Sequence, residues 1–562
     1  MSERKTASKD GLLVPEQPAF GPGESLKDLG PTHFIGIGGA GMSVLAEMLH
    51  EEGIVVSGSD SQASARTDRL QALGITVNCP QQARNVAGAH TVVYSSAIKA
   101  DNPEIQAALQ AGARIVHRSD ILALLMAGHR SVSVAGAHGK TTTSSLLAHI
   151  LIHGGQGQLA DPSYAIGASI QGPDGRSLDG GHAGKGTVLV AEADESDGSF
   201  LKYHPSIAIV TNAQADHLDH YGTAEHYRQA FVDHLGHARD WIIMGADDQG
   251  SLDVLQDLDQ RALSHTILYS TGTVADLPQG LADQVAGLVG IRSERESQGS
   301  GRESFTLEIP GKLLAAASEV GDVSLGSQSP AGTRPEDPLL PVSLAIPGLH
   351  NARNASEAIM AAILLGMDPA QAAGAAESFL GASRRFDLKG QRGGVSVVDD
   401  YAHHPTEISA LLDAARRRYP NSSIRVLFQP HLFSRTQIFA RDFAKALAKA
   451  DDVIVTGIYP ARERQEDFPG VGPRTIVDQA LALKDSHTTP GKASGSAGGE
   501  AWISAVDDMT KAAGILAGRA RPGDLLLTVG AGSITAMGPV LLDLLQEDGG
   551  GHGRQGSEGE GH

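Results

Sequence analysis

A lysine and three threonines follow a glycine-bearing loop at Val132-Ser133-Val134-Ala135-Gly136-Ala137-His138-Gly139-Lys140-Thr141-Thr142-Thr143. The β-branched residues before the loop read as a strand, and Ser144–Ile152 after it as a helix. A loop of this kind turns backbone N–H groups toward phosphates, sets a lysine against the β/γ charge and offers a hydroxyl to Mg²⁺. Gly136, Ala137, His138, Gly139, Lys140, Thr141 and Thr142 are therefore candidate ATP-binding residues. The loop departs from G-x-x-x-x-G-K-[ST], because Val134 stands where the first glycine belongs, and it reads as a shortened variant.

Three further groups carry polar chemistry at the ends of apolar runs. Val188-Leu189-Val190-Ala191-Glu192-Ala193-Asp194-Glu195-Ser196-Asp197 puts carboxylates where a phosphate-loop enzyme needs a Mg²⁺ ligand. Ile207–Val210 leads through Thr211-Asn212 to Asp216-His217-Leu218-Asp219-His220, a second polar strand end and a candidate cation site. Val397-Val398-Asp399-Asp400-Tyr401-Ala402-His403-His404-Pro405 and Leu427-Phe428-Gln429-Pro430-His431-Leu432-Phe433-Ser434-Arg435 are two strand ends expected at one sheet edge. There Tyr401, His403, His431 and Arg435 could converge, with Arg435 suited to gripping a carboxylate by two parallel hydrogen bonds. Near the N-terminus, Gly36-Ile37-Gly38-Gly39-Ala40-Gly41 fits G-x-G-x-x-G between a strand and a helix, with Asp60 ending the next strand. That is a pyrophosphate-binding turn with its ribose-binding acid, open to NAD, FAD or a nucleotide sugar.

The elements that must hold these groups are short β-branched runs alternating with amphipathic stretches. His33–Ile37, Ile54–Gly58 and Thr91–Tyr94 read as strands, with helices over Met42–Glu52 and up to Leu73. The pattern restarts at Ser131–Ala135 and continues through Thr187–Val190, Ile207–Val210 and Trp241–Met244. It restarts again after Pro347, at Val395–Val398, Ile424–Phe428, Val453–Val455 and Leu525–Val529. Such alternation predicts βαβ units and an α/β fold of mostly parallel sheets. Three restarts predict three domains: 21–128 and 348–546, both Rossmann-like, flanking a central phosphate-loop domain over 129–347. Residues 1–20 and 547–562 are expected to be disordered, and Gly154–Gly186, Ala317–Pro338 and Lys484–Glu500 to be solvated inserts.

A chain of 562 residues has room for several domains. With 65 acidic against 45 basic residues its formal charge is −20, which disfavours nucleic acid as a partner. Apolar runs such as Ile121–Met126 are far shorter than the roughly 20 residues of a membrane helix, so no membrane insertion is expected. No apolar stretch follows the polar Met1–Lys9, and one cysteine, Cys79, excludes a disulfide framework. A soluble cytoplasmic protein is expected; the sequence leaves monomer and homodimer both open.

In combination, Gly36–Met42, Gly136–Thr143, Glu192–Asp197, Thr211–Asp219, Gly348–Glu357, Arg384-Arg385-Phe386, Asp399–Glu407 and Gln429–Thr436 resemble the Mur ligases of peptidoglycan synthesis. The resemblance is strongest to members that add L-alanine to UDP-N-acetylmuramate. It implies that the lactyl carboxylate attacks the γ-phosphate of ATP and that L-alanine then displaces phosphate from the acyl phosphate. It also implies roles. Gly36, Gly38, Gly39, Ala40, Gly41 and Met42, with Asp60, Ser95 and Ser96, would hold the UDP-sugar. Lys140 would stabilise the β/γ-phosphates, Thr141 and Glu192 would bind Mg²⁺, and His217 a second Mg²⁺. Asn351 and Asn354 would meet the adenine and Asp400 the ribose. Tyr401, His403, His431 and Arg435 would form the alanine pocket, and Arg385 would join when the C-terminal domain closes. A ligase adding a whole tripeptide to the same sugar nucleotide shares this chemistry and is the first alternative. An NAD-dependent oxidoreductase, built on Gly36–Gly41 and Asp60, is a remote one, because it leaves the phosphate loop unused; a non-catalytic nucleotide sensor is another.

Overall fold

The computed structural model describes residues 15, 17–21, 23–172, 177–293, 302–320, 338–461, 463–484 and 501–547. Most of the two expected disordered ends and of the inserts Ala317–Pro338 and Lys484–Glu500 lie outside the described residues. Among the described residues no helix is long and apolar enough to cross a membrane. The chain divides into two compact units: Met1–Glu294 with Ser304–Ala345 and His350–Ala382, and Arg295–Glu303 with Ile346–Leu349 and Ser383–His562.

Among the described residues the first unit contains two large sheets and one two-stranded hairpin. Strands β1 (Thr32–Ile35), β2 (Val56–Ser59), β3 (Thr76–Asn78), β4 (Thr91–Tyr94) and β5 (Arg114–His117) run in the order β3-β2-β1-β4-β5, all parallel. The order reverses between β1 and β4. In open parallel sheets that switch point is where ligands settle, beyond the carboxyl ends of the strands. The central strands are buried on both faces, which is why they show no apolar–polar alternation.

The second sheet of this unit joins β6 (Arg130–Ala135), β7 (Ser163–Ala165), β10 (Gly181–His182), β11 (Val188–Glu192), β12 (Ile207–Val210), β13 (Trp241–Gly245), β14 (Thr266–Ser270), β15 (Gly287–Ser293), β16 (Glu303–Glu308) and β17 (Leu339–Leu344). Their order is β10-β7-β11-β6-β12-β13-β14-β15-β16-β17; β8 (Ile170–Gln171) and β9 (Ser177–Leu178) form a separate hairpin. The expectation of a solvated insert over Gly154–Gly186 is therefore corrected. Ser163–Ala165 is fully buried and pairs in parallel with β11. Three residues are too few to show a period, so the strand is invisible in the sequence.

The boundary expected at Pro347–Gly348 also differs from the packing. The helix Pro369–Ala376 packs against the phosphate-loop helix Lys140–Gly154, and the helix Leu349–Leu364 is tied to it where Glu357 accepts the Thr143 hydroxyl at 3.1 Å. Arg130 donates to the carbonyls of Leu364 (2.8 Å) and Leu365 (2.9 Å), satisfying the helix C-terminus, and His149 meets Ser378 at 2.8 Å. A side chain at Gly154 would stand 2.2 Å from Met367 and 3.1 Å from Ala375, so the contact is close. Residues 350–382 thus belong with the phosphate loop, and the second unit takes up the chain at Ser383.

Among the described residues that second unit has six strands, β18 (Asp387–Arg392), β19 (Val395–Asp400), β20 (Ile424–Phe428), β21 (Asp452–Val455), β22 (Ile503–Ala505) and β23 (Leu525–Val529), in the order β18-β19-β23-β20-β21-β22. All neighbours are parallel except β18 and β19. Three mostly parallel sheets match the expected α/β class.

Candidate active site

The order β11-β6-β12 fixes the central cluster, because it sets the carboxyl ends of three parallel strands side by side. The phosphate loop leaves β6, the acidic run leaves β11, and Thr211-Asn212 leave β12. The loop is pinned from β12: the His138 carbonyl accepts the Thr211 hydroxyl at 2.5 Å and the Asn212 amide at 2.8 Å, and Asn212 also receives the His138 N–H. Gly136 adopts φ +129°, and a side chain there would collide with the Thr211 hydroxyl at 2.2 Å. Gly139, at φ +91°, leaves room for the Asn354 amide, 2.7 Å from where its Cβ would be. Asn354 and Asn351 are both buried on the helix Leu349–Leu364, and Asn354 stands beside the loop at Gly139.

Lys140 reaches back to the Gly136 carbonyl at 2.7 Å and to Glu195 at 3.0 Å. Burial works against its charge, but the carboxylates of Glu195, Asp194 and Glu192 outweigh burial and hold the ammonium's pKa above its ordinary value. Burial conversely pushes the fully buried Glu195 up, with Lys140 opposing. Asp194 is drawn below the usual carboxylate range: burial would raise it, but Arg118 and Lys140 dominate. Thr141 donates to Glu192 at 2.9 Å, and Glu192 also accepts the Gly167 N–H at 3.0 Å. His217, with φ +51°, sets its Nε2 3.7 Å from Glu195 and 3.8 Å from Asp216. Among the described residues no three His, Cys, Asp or Glu side chains are arranged to hold a metal by themselves. The hydroxyl of Thr141 and the carboxylate of Glu192 are a hard-oxygen pair of the kind that fits Mg²⁺.

At the switch point of the first sheet, the N–H groups of Gly36 and Ile37 bond to the Ser59 carbonyl, and that of Gly38 to Asp60 at 2.9 Å. Asp60 therefore shapes the glycine turn from within. The amides opening the helix Ala40–Glu51 are those of Ala40, Gly41 and Met42, after Gly39 as the capping residue; a helix start offers such groups to an anion. Ser95 follows β4, and Ser96 donates to Asp197 at 2.7 Å and lies 3.1 Å from His117. Arg118 donates to Asp194 at 3.0 Å, and its other nitrogen stands 3.3 Å from where a Gly41 side chain would begin. Arg118 thus spans the glycine turn and the acidic run. Neither it nor Glu195 was assigned a task from sequence: Glu195 was one of five acids or hydroxyls in a charged stretch, and Arg118 belongs to no motif.

In the second unit the ends of β19 and β20 share one edge, either side of β23, as expected. Tyr401, His403, His431 and Tyr459 form a row with ring centroids 5.3, 5.5 and 5.8 Å apart. The guanidinium groups of Arg384 and Arg385 lie over the Tyr401 ring at 4.8 and 5.0 Å. Arg384 is further tied to Asp399 and to the Gly530 carbonyl, while Arg385 approaches Glu407 at 4.0 Å. Arg435 is buried, and together with burial its charge keeps His403 neutral, down at about 3, against the pull of Glu407. Asp400 accepts the N–H groups of Phe386 (2.7 Å) and Ala402 (2.8 Å), and burial raises it to about 6.

Known proteins carry the same layout. Residues 31–130 match the Mur ligase family catalytic domain, 134–362 the Mur ligase middle domain and 384–532 the Mur ligase glutamate ligase domain. The chain is 60% identical to the UDP-N-acetylmuramate–L-alanine ligase of Bifidobacterium adolescentis over 97% of its own length and 98% of that protein's. It is 40% identical to the ligase of that name from Renibacterium salmoninarum, covering 92% and 97%. The crystal structure of UDP-N-acetylmuramate–alanine ligase from Thermotoga maritima superposes with a TM-score of 0.67 at 27% identity, covering 92% of this chain and 99% of that one. A murein peptide ligase from Psychrobacter arcticus shares the fold, with a TM-score of 0.59 at 22% identity. With three domain matches in order and high identity along nearly its whole length, this chain belongs to the Mur ligase family.

Proposed function

We propose that the chain is an ATP-dependent ligase that joins L-alanine to the lactyl carboxylate of UDP-N-acetylmuramate in peptidoglycan precursor synthesis, in the cytoplasm. The observation that carries the substrate pair is identity of 60%, along nearly the whole length, to a ligase of that name. The geometry supports the chemistry. A carboxylate is a poor acyl donor in water, so its oxygen first attacks the γ-phosphorus of ATP, releasing ADP. The alanine amine then adds to the acyl carbon, the C–O bond to phosphate breaks, and an amide and inorganic phosphate result. No covalent enzyme nucleophile is needed; positioning and charge stabilisation do the catalysis.

In this reading Lys140 shares its ammonium between Glu195 and the β/γ-phosphates, with Gly136–Gly139 and Thr142 lining the rest of the cradle. Thr141 and Glu192 would hold Mg²⁺, and His217 would serve a second such ion beside Glu195. The cations would supply charge neutralisation that lets one anion approach another. Ala40, Gly41 and Met42 receive the UDP pyrophosphate on their helix start, with Asp60 fixing the turn. Asn351 and Asn354 face the adenine, and Asp400 has lone pairs left for the ribose. In the second unit Arg435 grips the alanine carboxylate beside Tyr401, His403 and His431, and Arg385 meets charge developing on the transferred phosphoryl group.

The test is phosphate release measured with each substrate omitted in turn. Release should need UDP-N-acetylmuramate, L-alanine, ATP and Mg²⁺ together. ATP hydrolysis indifferent to the sugar nucleotide, or preference for a tripeptide over free alanine, would overturn the assignment.

A further inference from the structure

Behind the phosphate loop lies a buried acid that the reaction above does not use. Glu357 is fully buried on the helix Leu349–Leu364, one turn after Asn354. One of its oxygens accepts the Thr143 hydroxyl, at 3.1 Å, from the phosphate-loop helix. The other is hydrogen-bonded to the Tyr269 hydroxyl of β14. The Tyr269 oxygen in turn lies 2.8 Å from the Thr211 carbonyl. Thr211 is the residue whose hydroxyl pins His138 in the loop.

The protons can be counted. Tyr269 has one O–H and faces two oxygens, the Thr211 carbonyl and Glu357. The carbonyl can only accept, so it takes the tyrosine proton. Were Glu357 a carboxylate, two acceptors would meet across one spent donor in a dry interior, and one would go unsatisfied. A carboxylic acid resolves the conflict: Glu357 donates to Tyr269, Tyr269 donates to Thr211, and Thr143 donates to Glu357. Every group is then paired.

We propose that Glu357 is a positioning residue of the nucleotide cradle, held as a neutral carboxylic acid that ties the helix bearing Asn351 and Asn354 to the phosphate loop through Thr143, Tyr269 and Thr211. This rests on the reading of that cradle as the ATP site. The surrounding charges agree. Burial raises Glu357 to about 8, against the hydrogen bonds that Tyr269 and Thr143 would offer its ionised form and the more distant charge of Arg353, which Asp247 already engages at 2.7 Å. Tyr269 itself is kept protonated chiefly by burial. Because the folded acid's pKa lies above its unfolded value, its contribution to stability is full below about 4.5 and is lost as pH rises through about 8.

The experiment compares the full-length wild type with Glu357→Gln, Glu357→Met and Glu357→Ala. Mg-ATP binding is measured by calorimetry from about pH 6.5 to pH 9.5, alongside thermal unfolding and steady-state kinetics. Glutamine keeps a donor toward Tyr269 and an acceptor toward Thr143 without titrating. It should bind ATP within about twofold of wild type at neutral pH and escape the wild-type decline in affinity and Tm above pH 8. Methionine restores the volume without the hydrogen bonds. It and alanine should both raise KM for ATP about tenfold, the equivalent of one buried hydrogen bond, with KM for the sugar nucleotide unchanged. Methionine binding ATP as well as wild type would overturn the clamp, as would a glutamine variant weakened like alanine. A wild type that binds no ATP, yet keeps its pH-dependent stability difference from Glu357→Gln, would instead sink the nucleotide reading and with it the residue's positioning role.

Discussion

The two charged regions of the molecule are built on different plans. In the first unit, the groups around Lys140 are locked by backbone and by one another: a lysine on a buried acid, a threonine on Glu192, glycines where no side chain fits. In the second unit, the row from Tyr401 to Tyr459 rests on a backbone bridge between His431 and Tyr459 but presents stacked rings, with two guanidinium groups on one ring. The first plan suits phosphates, whose charge and shape are always the same. The second presents rings and cations, which in the function proposed above suit an amino-acid acceptor.

The sharpest way to break this contrast is Lys140→Ala. It should cut kcat by a factor of about 10³ or more, since a phosphoryl-transfer charge clamp is lost, while circular dichroism stays close to wild type and Tm falls because Glu195 loses its buried partner. Near-normal turnover would end the comparison. Next comes Arg435→Ala, expected to raise KM for alanine about 100-fold by removing the carboxylate's partner, with ATP affinity untouched. An equal loss for ATP would show that the second region is not a separate acceptor site. Arg118→Ala should raise KM for the sugar nucleotide about tenfold, because Arg118 stands between Gly41 and Asp194. The smallest effect is one of charge. His403 is held neutral, so its proton NMR signals should not move between about pH 8 and pH 5, and its stability contribution should fade only as pH drops from about 6.5 toward 3. An imidazole titrating near 6.5 would place it in a wetter setting.

The same contrast explains what could be read without a structure. Gly136–Thr142 announce themselves because a backbone cradle demands glycine, lysine and hydroxyl at set offsets. The paired strand ends at Asp400 and Gln429 were legible too, since parallel βαβ order sends alternate turns to one edge. Glu195, Arg118 and Glu357 were not assigned roles. Their tasks depend on partners 55, 76 and 88 positions away, and no local spacing encodes those distances. The buried strand at Ser163–Ala165 was missed for want of length, and the helix Leu349–Leu364 was put on the wrong side of a boundary because proline and glycine before it look like a linker.

That helix has a practical consequence for anyone dividing the protein. Cutting at Pro347 would strip the phosphate-loop half of Asn351, Asn354 and Glu357 and would bare the face of the Lys140–Gly154 helix that Met367 and Ala375 cover. Exchange of C-terminal halves between relatives has to be spliced after Ala382, where the chain passes from one packed body to the next.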